Sequence, residues 1–188
     1  LAVTAAKNAF PLWSQTSLDL KFQILNRISD LINENLEALA LAESIDNGKP
    51  LWLARRVDIP RAASNFQFFA TALKHYASES YLNPPNVIST TLRQPIGIVG
   101  CISPWNLPLY LFTWKIAPAI AAGNCVIAKP SEVTPMTAFL LAQICKDAGL
   151  PDGVLNILHG TGPKVGSAIV AHPRIKGISF TGGTTTGQ

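Results

Sequence analysis

The spacing of apolar residues along this chain changes near residue 96. Before that point they recur at three- and four-residue steps. Leu18, Phe22, Leu25, Ile28, Ile32, Leu36 and Leu39 form one such series, which predicts a single amphipathic helix with a broad apolar stripe. Thr16 and Asp19 stand ahead of it at capping-box spacing. Asn47-Gly48 closes the region, because glycine tolerates the left-handed cap position. Residues 1–10 read as the end of an earlier helix that Pro11 stops. Residues 50–76 read as a further helix that Pro60, lacking an amide proton, must kink or restart.

From residue 96 the apolar runs become short and continuous. Strands are predicted over 96–102, 125–128, 154–158 and 175–180. Helical patterns over 107–122, 135–148 and 163–171 separate them, with Thr134 as N-cap and Pro135 at a first helical position. Short buried strands alternating with helices predict an α/β fold with a parallel sheet covered on both faces. Right-handed crossovers make it a doubly wound layer. Between the two regimes, Asn83-Pro84-Pro85-Asn86 is a turn signal and residues 87–92 suit an exposed strand. This is either a plain surface hairpin or an edge that pairs with another subunit.

Composition narrows the classes. Of 188 residues, 48% are hydrophobic and 14% charged, which excludes a disordered chain. That much apolar surface predicts an oligomer partner or a further domain. The net charge of +4 is scattered and contains no basic run, which argues against nucleic acid. The three cysteines, Cys101, Cys125 and Cys145, and the three histidines, His75, His159 and His172, lack metal-site spacing. Their apolar settings suit a reducing compartment, and no signal peptide is visible, so a cytoplasmic location is expected. No apolar run reaches the roughly 18 residues of a membrane span. The chain opens at Leu1 without a methionine and stops soon after Gly182-Gly183, and both ends are expected to be cuts through a larger protein.

Parallel sheets bind ligands at the carboxyl ends of their strands. Those ends carry Ser103-Pro104-Trp105-Asn106, then Lys129-Pro130-Ser131-Glu132, then His159-Gly160-Thr161-Gly162 with Gly166 beyond, then Thr181-Gly182-Gly183. Glycines let a backbone approach a pyrophosphate, whose charge helix N-termini attract; alternatively they only make tight turns. Lys129 and Glu132 could each bond ribose hydroxyls, and a carboxylate there would repel a 2′-phosphate, favouring NAD over NADP. The alternative is a surface ion pair. Asn106 is either a helix N-cap or an oxyanion donor.

The stretches 95–108, 122–132, 149–157 and 180–182, in this order and spacing, resemble the NAD(P)-dependent aldehyde dehydrogenase superfamily. Ser44-Ile45-Asp46-Asn47-Gly48-Lys49, Asp58-Ile59-Pro60-Arg61 and residues 65–70 resemble its branch acting on 2-aminomuconic and 2-hydroxymuconic semialdehydes. The resemblance implies N-terminal helices over 1–76, an oligomerisation hairpin over 77–95 and a Rossmann-like NAD-binding core over 96–188. It implies that Asn106 supplies the oxyanion-hole amide. Ile102, Ser103, Pro104 and Trp105 would line the nicotinamide side. Lys129, Ser131 and Glu132 would hold the adenosine ribose, Gly162 and Gly166 would border the adenine, and Phe180, Thr181, Gly182 and Gly183 would border the pyrophosphate. Many members carry serine at the position of Gly183, so here only the backbone could serve. Arg61 could fork onto a substrate carboxylate, as an acid semialdehyde would carry, or be an exposed helix arginine. Leu107, Leu111 and Trp114 are either tunnel walls or core.

The family's nucleophilic cysteine and general-base glutamate lie beyond residue 188. Cys101 is not promoted to that role, because a buried cysteine behaves as an inert hydrophobe. The implied reaction is oxidation of an aldehyde to a carboxylate through a cysteine thiohemiacetal, in a homo-oligomer, with this chain as its NAD-binding part. The alternative is a non-catalytic dinucleotide-binding or oligomerisation module.

Overall fold

The computed structural model describes residues 1–188. Helix α1 (Ala2–Gln15) passes through Pro11 rather than ending there. Tertiary packing overrides the missing proline donor: Trp13 is buried, and its indole N–H donates to the Ile120 carbonyl at 3.1 Å. Helix α2 (Leu18–Glu34) is capped by Ser17, whose Oγ accepts from the Leu20 N–H. Thr16 is not the cap; its hydroxyl donates back to the Leu12 carbonyl. The predicted single stripe is two helices. Asn35, at φ −99 and ψ 18, interrupts it and donates its side-chain amide to the Leu31 carbonyl, and α3 (Leu36–Asn47) begins anew. Gly48 ends α3 in the left-handed conformation, φ 77.

Helix α4 (Leu51–Leu53) runs through a π-turn (Ala54–Asp58) into α5 (Ile59–His75), with Pro60 in the first turn of α5. The widened turn is how the helix continues through a residue with no amide proton. Strands β1 (Ser80–Asn83) and β2 (Val87–Thr90) form an antiparallel hairpin, exposed along its whole length.

Strand β3 (Ile98–Ile102), helix α6 (Pro108–Ala121), β4 (Cys125–Lys129), α7 (Met136–Asp147), β5 (Leu155–Ile157), α8 (Ser167–Val170), β6 (Ile175–Phe180) and α9 (Thr184–Gly187) complete the chain. The four strands β3 to β6 form a parallel sheet in the order β5-β4-β3-β6. The core is one cluster of buried side chains shared by the sheet and helices α1, α2, α5, α6 and α7. Leu109, Phe112, Ile116 and Ile120 of α6 are fully buried, each contributing about 1.5–3 kcal/mol. Gly100 lets the chain after β5 sit directly on β3: a Cβ there would meet Ile169 Cγ2 at 2.5 Å and Ile178 Cδ1 at 2.7 Å.

Several boundaries differ from the periodicity. The predicted helix 163–171 opens as a π-turn (Gly162–Gly166) before α8. Thr134 does not cap α7; the Met136 N–H is taken instead by Asp46 Oδ2 of α3, at 2.7 Å. The sheet is not covered evenly, since Ile178 and Phe180 on β6 are exposed. No helix is long and apolar enough to cross a membrane.

Candidate functional site

Because all four strands are parallel, their carboxyl ends share one edge. Ile102 pairs with Lys129 on one side and Phe180 on the other. The ladder continues past the strands: Ser103 N–H donates to the Lys129 carbonyl, Leu158 N–H to Ala128, and Thr181 N–H to Ile102. Residues expected at a cofactor from three separate motifs are therefore held in adjacent rows. Asn124 fixes the start of β3, its Oδ1 accepting from the Ile96 and Gly97 amides at 2.8 and 3.1 Å.

Beyond β3, Ser103 is buried and donates its hydroxyl to the Leu111 carbonyl, Pro104 is half-buried, and Trp105 is 58% exposed. Asn106 is exposed, and its side chain has no hydrogen-bond partner in the chain. It does not cap α6. The capping residue is Leu107, without a side-chain bond, and the Leu109 N–H is taken by Glu43 Oε2 at 3.3 Å. The N-cap explanation of Asn106 is thereby removed, and its amide is free to meet a ligand.

Lys129 and Glu132 are not a surface pair. The lysine side chain is 3% exposed and the glutamate 43%, with 2.7 Å between Nζ and Oε2. Lys129 also donates to the Pro130 carbonyl, and Glu132 Oε1 accepts the Gly162 N–H at 3.2 Å. The Lys129 hydrogen bond, assisted by backbone donors, pulls the Glu132 carboxyl down to about 2. The folded value lies below the unfolded one, so this contribution to stability is present above the ordinary carboxylate range and is lost as pH falls toward 2. A carbon-13 titration is expected to place the Glu132 midpoint near 2, and Lys129→Met to return it toward the ordinary range.

The Ser131 hydroxyl accepts the Val133 N–H and shapes the same loop. Gly166 faces the strand ends, since a Cβ on it would stand 4.0 Å from both Ile102 Cδ1 and Lys129 Cδ. Gly162 and Gly183 have open space beside them, whereas the Phe180 ring occupies the place a Gly182 side chain would need.

The residues expected at a substrate form a second group, on α5 and α6. Arg61 is exposed and has no carboxylate partner; its guanidinium lies 3.9 Å from the Tyr110 ring centre. Trp114 is half exposed and lies 6.0 Å from both Tyr110 and Phe69, ring centre to ring centre. Leu107 and Leu111 are half-buried between core and surface. Tyr110 is not among the residues expected at the site, and Phe69 enters only within the stretch 65–70. Tyr110 lies one turn before Trp114, at the i, i+4 spacing that could have revealed it.

The sequence reading also missed a buried ionic cluster. Lys49 Nζ lies 2.6 Å from Asp58 Oδ2 and 3.2 Å from Glu43 Oε1, and all three side chains are at least nine-tenths buried. Burial is the largest influence on the Glu43 carboxyl and raises it, partly opposed by Lys49. The motif 44–49 and the Asp58 motif, noticed for their resemblance alone, meet here.

The three thiols are buried. Burial pushes Cys101 and Cys145 up to about 12 and Cys125 to about 11. No group of His, Cys, Asp and Glu could hold a metal. A concavity of about 350 Å³ between α7 and the β5 edge, lined by Phe139, Cys145, Asp152 and His159, touches neither the β3 nor the β4 exit.

The aldehyde dehydrogenase family model matches residues 1–188. The 2-aminomuconic semialdehyde dehydrogenase of Bos taurus is 54% identical over 188 residues, which are 100% of this chain and 39% of that protein. The 2-hydroxymuconic semialdehyde dehydrogenase of Pseudomonas sp. (strain CF600) is 45% identical, covering 100% and 40%. The NAD+ complex of an aldehyde dehydrogenase from Bacillus cereus superposes with a TM-score of 0.96 at 37% identity, covering 99% of this chain and 38% of that one. The chain thus spans about two fifths of the length of the curated relatives it matches.

Proposed function

Since the chain belongs to the aldehyde dehydrogenase family, we propose that it is the cofactor-binding part of an NAD-dependent enzyme oxidising an acid semialdehyde to a carboxylate. The observation that carries this reading is the unpartnered Asn106 amide at the same sheet edge as the Lys129–Glu132 pair.

The residues present fit a dinucleotide. Glu132 keeps an exposed carboxylate while Lys129 holds it ionised, a donor–acceptor set suited to ribose hydroxyls. Ser131 shapes that loop. Gly166 leaves the space over Ile102 and Lys129 open. The backbone of Thr181, Gly182 and Gly183, beside the Phe180 ring, would hold the phosphates, and Ser103, Pro104 and Trp105 would flank the nicotinamide. NAD, when bound, accepts the hydride that aldehyde oxidation releases. Glu132 would disfavour NADP by repelling its 2′-phosphate.

Asn106 donates its amide N–H to the oxyanion that develops as a thiol adds to the aldehyde. None of the three thiols within 1–188 supplies that nucleophile, because burial keeps each protonated. The thiol and the general-base carboxylate belong, on this reading, to sequence following Gln188. Arg61 faces the substrate carboxylate, with Leu107, Leu111 and Trp114 as apolar wall. The names of the two muconic semialdehyde dehydrogenases support the substrate class. The exposed apolar hairpin, with Leu82 and Ile88 at 77% and 70% exposure, supports a homo-oligomer contact within 77–95. We assign 1–76 to the flanking helices and 96–188 to the nucleotide-binding core. Three free thiols fit a reducing compartment such as the cytoplasm.

The test is NAD and NADP reduction by the full-length protein with a muconic-type semialdehyde and with a neutral aldehyde. Faster turnover with NAD and the acid is expected; no reduction with either aldehyde would overturn the reading. Within that assay, Arg61→Ala is expected to raise KM for the acid semialdehyde about tenfold or more, the scale of a charged hydrogen bond, and to spare the neutral aldehyde. Equal effects on both would remove Arg61 from the substrate site.

A further inference from the structure

The segment that closes α3 reaches forward to the loop carrying Asn106. Asn47 Nδ2 donates to the Trp105 carbonyl at 2.8 Å. Lys49 Nζ makes a longer contact, 3.5 Å, to the Asn106 carbonyl. Glu43 Oε2 accepts the Leu109 N–H. Asp46, from the same segment, takes the Met136 N–H and so anchors α7 just after the Lys129–Glu132 loop. The segment is itself rigid: Gly48 N–H donates to the Ser44 carbonyl at 2.9 Å, and the Ser44 hydroxyl donates to the Lys49 carbonyl at 2.7 Å. Lys49 is fixed from two further sides by Glu43 and Asp58.

Helix capping explains Glu43 and Asp46, whose partners are orphan N–H groups at helix starts. It does not explain Asn47 and Lys49, whose acceptors are carbonyls preceding α6. The loop has little packing of its own, with Trp105 and Asn106 both exposed. Hydrogen bonds to its main chain therefore decide where it sits. Every one of these contacts goes to backbone, which leaves the Asn106 side chain unspent.

We propose that Asn47, assisted by Lys49 in its Glu43–Asp58 cluster, is a positioning residue that fixes the Trp105–Asn106 main chain and so aims the Asn106 amide at the reacting oxygen. The inference rests on the oxyanion role proposed for Asn106. A displacement of about 1 Å at such a donor costs up to about a hundredfold in rate, and one lost anchor of several about tenfold. The motif 44–49 then acts on catalysis at a distance in sequence, without touching substrate.

The test uses the full-length protein and two substitutions of a half-buried side chain, Asn47→Ala and the isosteric Asn47→Asp, which loses the donor but keeps the shape. Both are expected to lower kcat about tenfold, with a smaller change in NAD affinity in a fluorescence titration, since Trp105 shares the loop. In an Asn106→Ala background neither is expected to lower kcat further, because the group being aimed is already gone. Unchanged kcat in the single variants, or losses that add to that of Asn106→Ala, would overturn the positioning role. Asn106→Ala with undiminished kcat would instead overturn the oxyanion reading itself.

Discussion

In the full-length protein, Asn106→Ala is expected to lower kcat for aldehyde oxidation by about 10²–10³-fold, the cost of removing one oxyanion donor. NAD affinity should change far less than kcat, because the Asn106 side chain bonds to none of the groups proposed to hold the nucleotide. The size of the effect follows from the state of the amide. The Asn106 side chain caps no helix and has no hydrogen-bond partner in the chain, so truncating it removes no structural contact. Its loss is felt only when negative charge develops on the substrate oxygen. KM should therefore move less than kcat, as for an interaction made in the transition state. Asn106→Asp keeps the shape but puts an acceptor where a donor is needed, and should be at least as impaired. Steady-state kinetics with both variants, alongside thermal melts, checks this; a loss of stability matching the loss of rate would argue for a structural role.

Lys49→Met is expected to destabilise the fold by about 3–5 kcal/mol, because it breaks a buried ion cluster and leaves its carboxylates without a cation. Glu43 and Asp58 both bond Lys49 in the interior, and the three charges sum to −1. Removing the cation leaves −2 on two almost fully buried carboxylates. Glu43 sets the pH dependence. Burial already raises its carboxyl above the ordinary value, and Lys49 is what holds it down. Without Lys49 the folded state binds the Glu43 proton more tightly than the unfolded state does, so stability falls as pH rises through that range. The deficit of Lys49→Met should therefore shrink on acidification. Combining it with Glu43→Gln and Asp58→Asn should recover much of the loss, since an uncharged cluster has no unpaired charge to bury. Denaturant melts at several pH values measure both effects. A deficit that is flat with pH would remove Glu43 from the account.

These two residues also show how far the chain could be read without its fold. The alternation from 96 onward specified the parallel sheet, and the four loops at its carboxyl ends followed from topology alone. Gly48 as a left-handed cap and Pro60 as a point where the helix must kink or restart are local facts, decided within a few residues; Gly48 has φ 77, and a π-turn over Ala54–Asp58 precedes the new helix start at Ile59. Asn106 was visible as a polar residue between a tryptophan and a helix start, but its two roles could not be separated there. Removing the capping role needed Glu43, 66 residues earlier, to be seen taking the Leu109 N–H.

The same limit explains the other differences. Thr134 has the right identity and position to cap α7, yet the α7 N–H goes to Asp46, 90 residues away. Pro11 should end a helix, yet α1 continues because Trp13 is buried and bonded to Ile120, 107 residues on. Lys129 and Glu132 have the spacing of a surface pair, and only the fold buries the lysine. Most elements, their order and the residue types at the sheet edge were legible along the chain, because periodicity, turns and glycine conformation act over a few residues. Which of those polar groups the fold consumes and which it leaves free was set by packing between distant segments. A hydrogen-bond donor or a charge is satisfied by whatever the packed chain brings within about 3 Å, and sequence separation puts no limit on that.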